Sequence, residues 1–168
     1  MKTQVWAHRG ASAYAPENTL EAFRLAAEMG ADGVELDVQL SRDGELVVAH
    51  DETIDRVSSG TGYIKDYTLA QLKKLSFNRL FPKFKDARIP TLKEVYELLK
   101  PAGLTVNVEL KTGIILYPEI EEKVLALTAS MGMEDRVIYS SFCHPSLVRL
   151  KELDSGLKTG QHGGVCLR

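Results

Sequence analysis

Residues 33–51 read GVELDVQLSRDGELVVAHD. Side chains alternate across a strand, so Glu35, Asp37 and Gln39 share one face, while Leu36, Val38 and Leu40 share the other. Asp43-Gly44 is a two-residue hairpin signal. With those residues as the turn, Arg42 faces Glu45 and Asp37 lies opposite His50, at the roughly 4.5–5.5 Å Cβ separation of directly opposed pairs. Local geometry then sets a histidine beside two carboxylates. The same pattern also fits a two-stranded ribbon whose polar face simply meets water.

The flanking segments alternate strand and helix. Residues 5–8 read as a strand. Asn18 reads as the N-cap of a helix, with Glu21 closing a capping box. Leu20, Phe23 and Ala27 give that helix an apolar stripe, and Gly30 can end it. Thr91 and Glu94 form a second capping box, ahead of Leu92, Val95, Tyr96 and Leu99 on one face. Residues 104–110 form the next strand. Pro118 suits the first turn of a helix carrying Ile120, Val124, Leu127 and Met131 at helical spacing. Residues 136–142 form a fourth strand, and Pro145 opens a helix with Leu147, Leu150 and Leu153. A fifth strand could begin near Leu157. Repeated strand–helix units predict an α/β fold, a parallel sheet with helices outside.

Residues 51–90 interrupt the alternation with a long connection. They hold a short helical pattern at 68–75. Such a connection is either a functional insertion or lid, or a solvated excursion held by Phe77, Phe81 and Phe84.

Composition narrows the function classes. The chain has 168 residues, 44% hydrophobic and 26% charged, as in ordinary globular proteins. A net charge of -2 gives no footprint for nucleic acid. No apolar run reaches the roughly 18 residues of a membrane span. Two cysteines, Cys143 and Cys166, make neither a disulfide framework nor a zinc site. No signal-peptide pattern opens the sequence, so the expected location is the cytoplasm.

The segment VNVELKT, residues 106–112, adds chemistry. Asn107, Glu109 and Lys111 share one face. Charged groups at the C-terminal ends of parallel strands lie where such sheets bind ligands. Carboxylates converging there repel one another unless a cation joins them. An all-oxygen set of Glu35, Asp37 and Glu109 suits Mg²⁺ or Ca²⁺ better than zinc. Alternatively, Lys111 neutralises one carboxylate and no metal binds. His8 and Arg9 end the first strand and reach the same mouth. Arg9 and Lys111 suit phosphate oxygens. Two histidines suit a phosphodiester cleavage, one taking a proton from the nucleophile and the other giving one to the leaving oxygen.

The ordered set HRG, PENTLEAF, GVELDVQLSRDGELVVAHD, VELK and SSF resembles the glycerophosphodiester phosphodiesterase family, over residues 5–142. The resemblance implies a TIM barrel with an insertion after its second strand, matching residues 51–90. It implies hydrolysis of glycerophosphodiesters to glycerol 3-phosphate and an alcohol. By motif, Glu35, Asp37 and Glu109 would bind the metal, His8 would be the general base and His50 the general acid. Arg9 and Lys111 would contact phosphate, with Glu17 and Asn18 supporting the site. Phospholipase D and sphingomyelinase D enzymes are similar around these residues, but they are typically secreted and disulfide-bonded.

A TIM barrel needs eight strands and typically about 250 residues. The sequence therefore predicts one domain over residues 1–168, an incomplete barrel of about four to five strands. The fourth strand is expected near an unpaired edge, with an apolar inner face bared. Self-association through that edge is a further expectation, and a catalytically inert half-barrel that binds metal or a partner chain is an alternative.

Overall fold

The computed structural model describes residues 3–161. Strands β1 (Trp6–His8), β2 (Gly33–Leu40), β3 (Leu46–Val48), β4 (Thr105–Leu110), β5 (Val137–Ser141) and β6 (Thr159–Gln161) form one sheet. The order is β1-β2-β4-β5-β6, all parallel, with β3 antiparallel against the C-terminal half of β2. Helices α1 (Leu20–Glu28), α3 (Leu92–Ala102), α4 (Ile120–Ser130) and α5 (His144–Leu153) connect successive parallel strands, and the short α2 (Leu69–Leu72) lies in the long connection. Right-handed crossovers between sequential neighbours put every connecting helix on the same side of the sheet. That winding is one wall of an α/β barrel.

The core follows from the alternation. Val34, Leu36 and Val38 of β2, Val106 and Val108 of β4, and Tyr139 of β5 pack against Phe23, Val95, Tyr96, Leu99, Val124 and Leu150 of the helices. Full burial of such a side chain stabilises the fold by about 1.5–3 kcal/mol. α3 starts where the sequence predicts: the Thr91 side chain accepts from the Glu94 N–H, and the Glu94 carboxylate accepts from the Thr91 N–H.

The opposite sheet face departs from expectation. Residues in register share a face, giving one row of His8, Glu35, Asn107 and Ile138 and a next row of Asp37, Glu109 and Ser140. The inner face is thus mainly polar, not apolar. Trp6 and Ile138 are its large apolar side chains. Residues 159–161 pair with Tyr139, Ser140 and Ser141, so the fifth parallel strand expected near Leu157 is present as β6, and among the described residues it lies outside the fourth parallel strand, at the edge opposite β1. A ladder is made by the backbone, and Gly160 does not prevent it. Residues 162–168, with Cys166, lie outside the described residues.

Two further corrections concern local geometry. The N-cap of α1 is Thr19, whose hydroxyl accepts from the Ala22 N–H at 3.4 Å, and Asn18 sits one residue earlier at φ 56°. The Asn18 side chain is used elsewhere. The β2–β3 hairpin pairs Val38 with Val48 and Leu40 with Leu46, so Asp37 faces Ala49 and not His50. Asp43 and Gly44 do not form a two-residue turn. Instead the Gly44 N–H donates to the Ser41 carbonyl, the Ser41 N–H donates to the Glu45 carbonyl, and Gly44 adopts φ 79°. A type I turn followed by a left-handed glycine adds a residue to the loop and shifts the register.

The long connection has its own packing. Val47, turned away from Leu46 and Val48, joins Ala49, Ile54, Ile64, Leu72, Phe77 and Ile89 in a second apolar cluster. Phe77 is buried there. Phe81 and Phe84 are half-buried and meet edge to face, with centroids 6.4 Å apart.

Candidate active site

Glu35, Asp37 and Glu109 each place one carboxylate oxygen within 4.8 Å of the others. The strand register does this, because Asp37 is paired with Glu109 and Glu35 precedes Asp37 by one alternation. All three are buried or nearly so, and Asp37 is fully enclosed. Burial first, and the Asp37 charge second, push the Glu35 carboxyl up to about 8. Burial also raises Asp37, although the hydrogen bond from Asn18 opposes it. Lys111 Nζ lies 3.1 Å from Glu109 Oε1 and 3.8 Å from Asp37 Oδ1. The lysine therefore does pair with one carboxylate, yet Glu35 and Asp37 remain raised. Asp37 Oδ1 is buried without a hydrogen bond. Three crowded oxygen donors, one of them an unsatisfied acceptor, fit a hard divalent cation, which would keep all three ionised.

His8, Arg9 and Gly10 leave β1 at this mouth. His8 is the register partner of Glu35. Its Nε2 lies 3.8 Å from Glu35 Oε2, and its side chain is 68% exposed. Arg9 adopts φ 56°, and its N–H donates to the Glu35 carbonyl at 3.0 Å. Left-handed backbone at a non-glycine residue is a conformation that functional sites tolerate when surroundings fix it. Gly10 is needed because a Cβ there would lie 2.7 Å from the Ala22 carbonyl carbon of α1. The Arg9 guanidinium donates from Nη1 to Glu17 at 3.0 Å, while Nε lies 3.5 Å from Asp37 Oδ2 without forming a hydrogen bond. Asn18 Nδ2 donates to Asp37 Oδ2 at 2.8 Å, so Asn18 touches the cluster directly and Glu17 reaches it only through Arg9.

His50 reaches the site by another route. It lies past the end of β3, and the Gln39 amide gathers its loop by donating to the carbonyls of Ala49, His50 and Asp51 at 2.9, 3.3 and 2.7 Å. The Tyr117 hydroxyl donates to Gln39 Oε1 at 2.9 Å. His50 is close enough for its charge to favour ionised Asp37. Its Nδ1 meets Asp51 Oδ1 at 2.7 Å. Burial raises the Asp51 carboxyl, but hydrogen bonds from Arg56 and His50 outweigh it and hold Asp51 low. Arg56 Nε donates to Asp51 at 2.7 Å, and its two terminal nitrogens donate to Glu17 at 2.7 and 2.8 Å. The structure thus brings together all nine residues singled out from the sequence. Sequence reasoning missed the roles of Gln39, Asp51, Arg56 and Tyr117. Gln39 shares the Glu35–Asp37 face and Asp51 adjoins His50, so both carried a signal; nothing local marks Arg56 or Tyr117.

Residues 8–164 match the Glycerophosphoryl diester phosphodiesterase family. A glycerophosphodiester phosphodiesterase of Caldanaerobacter subterraneus subsp. tengcongensis is 53% identical over 161 residues, which are 95% of this chain and 66% of that protein. One from Bacillus altitudinis is 45% identical over 90% of this chain and 62% of its own length. The crystal structure of a glycerophosphodiester phosphodiesterase from Agrobacterium tumefaciens superimposes with a TM-score of 0.86 at 36% identity, covering 94% of this chain and 66% of that one. An Oleispira antarctica phosphodiesterase in complex with the product sn-glycerol-3-phosphate gives a TM-score of 0.82 at 35% identity, covering 95% and 65%. The chain spans just under two thirds of the length of these relatives. Among the described residues, no helix is long and apolar enough to cross a membrane.

Proposed function

We propose, from the premise that the chain belongs to the glycerophosphoryl diester phosphodiesterase family, that it carries the site of a metal-dependent hydrolase. The reaction cleaves a glycerophosphodiester to glycerol 3-phosphate and an alcohol. The observation that carries this reading is the convergence of Glu35, Asp37 and Glu109 within 4.8 Å, flanked by His8 and the His50–Asp51 pair. The product named for the Oleispira relative supports the glycerol phosphate moiety. The named relatives are glycerophosphodiesterases, which leaves the phospholipase D and sphingomyelinase D readings without support.

Glu35, Asp37 and Glu109 would hold Mg²⁺ or Ca²⁺, which when bound offsets charge on the phosphoryl oxygens. Arg9 and Lys111 hold the phosphate by charge-assisted hydrogen bonds. Arg9 Nε, a buried donor without a hydrogen bond, suits an anionic acceptor. Two environments separate the histidines. His50 has the Asp51 carboxylate on Nδ1, which fixes the ring and leaves Nε2–H for the leaving oxygen, so it is the acid. His8 is exposed, with Glu35 at 3.8 Å and outside hydrogen-bond reach, so it is the base that takes a proton from the attacking water. As the new O–P bond forms, the P–O bond to the alcohol breaks and that oxygen takes the His50 proton. Glu17 and Asn18 orient Arg9 and Asp37. We assign the protein to the cytoplasm, consistent with its two cysteines.

The test is release of glycerol phosphate from glycerophosphocholine, with Mg²⁺, with Ca²⁺ and with chelator. Turnover with a cation and none with chelator is expected. Turnover unaffected by chelator, or none in any condition, overturns the reading.

A further inference from the structure

We infer that Arg56 is a positioning residue that ties the acid side of the site to the phosphate side. This rests on the glycerophosphodiesterase reading above. The guanidinium lies between two carboxylates, each of which touches a residue with a chemical role. Its fork holds both oxygens of Glu17, at 2.7 and 2.8 Å, and its Nε holds Asp51 Oδ2 at 2.7 Å. Glu17 in turn accepts from Arg9 at 3.0 Å, and Asp51 Oδ1 meets His50 Nδ1 at 2.7 Å. One side chain from the long connection therefore sets the angle of both the proposed phosphate ligand and the proposed acid.

The stability value of this arrangement is small. Arg56 is 41% exposed, and exposed ion pairs contribute little to stability. Its geometry is specific, because three nitrogens each make one short bond and a lysine ammonium cannot reproduce that fork. The launch point is also fixed. Ile54 is buried in the second apolar cluster, Val57 packs against it, and the Ser58 N–H donates to the Ile54 carbonyl. The packed connection thus presents Arg56 at a defined place. Charge balance points the same way. With Glu17 neutralised by Arg56, Arg9 keeps its positive charge for an anion. With Asp51 held from the far side, its other oxygen stays on Nδ1 and His50 Nε2 stays directed away from it.

The test compares Arg56→Ala and Arg56→Lys with the wild type, in the full chain with Mg²⁺, on two substrates. Glycerophosphocholine has a poor leaving group, and a nitrophenyl ester of glycerol phosphate has a good one. Loss of an orienting partner typically costs about 10–100-fold. We expect kcat on glycerophosphocholine to fall by that factor in both variants. On the nitrophenyl ester kcat should fall by a smaller factor, because that oxygen needs little acid help and only the phosphate-side misplacement remains. The second readout is ¹⁵N NMR of the His50 ring in the cation-free chain. The wild type should hold the neutral ring as the Nδ1–H tautomer, and both variants should lose that preference. Equal losses on the two substrates, no loss, or an unchanged His50 signal overturns the inference. A wild type that hydrolyses neither substrate overturns the function reading instead, and the His50 signal then decides the role of Arg56 by itself.

Discussion

Glu35, Asp37 and Glu109 hold their places through ladder bonds of β2 and β4, whereas His50 lies beyond the end of β3 and is held by side chains from Gln39, Asp51 and, through Asp51, Arg56. The two regions face the same mouth but differ in how their geometry is fixed. In the sheet region, each side chain is aimed by a backbone that neighbouring strands constrain. In the loop region, removal of one amide or one guanidinium frees the histidine. The comparison teaches that the geometry of the proposed metal ligands should resist changes outside them, while the proposed acid should depend on residues that never touch substrate.

The largest expected effect is in the sheet region. Asp37→Asn keeps the shape and the ladder but removes the charge of a proposed ligand. Activity on glycerophosphocholine should fall about 10³-fold or more, since a cation supplies several kcal/mol of transition-state charge stabilisation. Circular dichroism should remain that of the wild type. A variant retaining more than about a tenth of the activity would show that the strand-held cluster is not the chemical centre.

Next come the histidines. His50→Ala and His8→Ala should each lose roughly 10²–10⁴-fold on glycerophosphocholine. A nitrophenyl leaving group should restore much of the His50→Ala loss and little of the His8→Ala loss. Equal restoration would refute the assignment of base and acid.

A smaller effect sharpens the contrast between the regions. Gln39→Leu removes the donor shared by three carbonyls and leaves the Tyr117 hydroxyl without its acceptor. Leaving buried polar groups unsatisfied costs about 1–3 kcal/mol. Hydrogen exchange should quicken around residues 49–51 and stay slow in β4. Equal quickening in both places would mean that the loop and the sheet are not separate in stability.

The smallest effect is on pH. In chelator, Glu35 titrates in the folded chain at about 8, well above its ordinary value of 4.5. A raised carboxyl favours the fold fully below the unfolded value and loses that contribution as pH rises through the folded value. Metal-free stability should therefore decline between about pH 4.5 and 8, and saturating Mg²⁺ should flatten the decline. Urea melts at several pH values test this, and identical slopes with and without Mg²⁺ would contradict it.

The sheet region was legible in the sequence because strand alternation is short-range. Glu35 and Asp37 could be set on one face from spacing alone, and VELK supplied Glu109 and Lys111. The His50 register differs from the expectation because a turn with Gly44 in the left-handed region adds a residue that the Asp43-Gly44 signal does not announce. Asn18 was misread as a cap because its side chain is taken by Asp37, a contact between residues 19 positions apart. Arg56 was invisible, since its partner Glu17 is 39 positions away. The polar inner face departs from the interiors of complete barrels, which are apolar on average. Here alternation gives Glu35, Asp37, Gln39, Asn107 and Glu109 to the inside.

The most direct measurement is calorimetric titration of Mg²⁺ and Ca²⁺ into the chain and into Asp37→Asn. One saturable site in the wild type, at millimolar or lower cation and absent from the variant, is the predicted result. A wild type that binds neither cation at millimolar concentration, or a variant that binds as the wild type does, would contradict a metal centre at Glu35, Asp37 and Glu109.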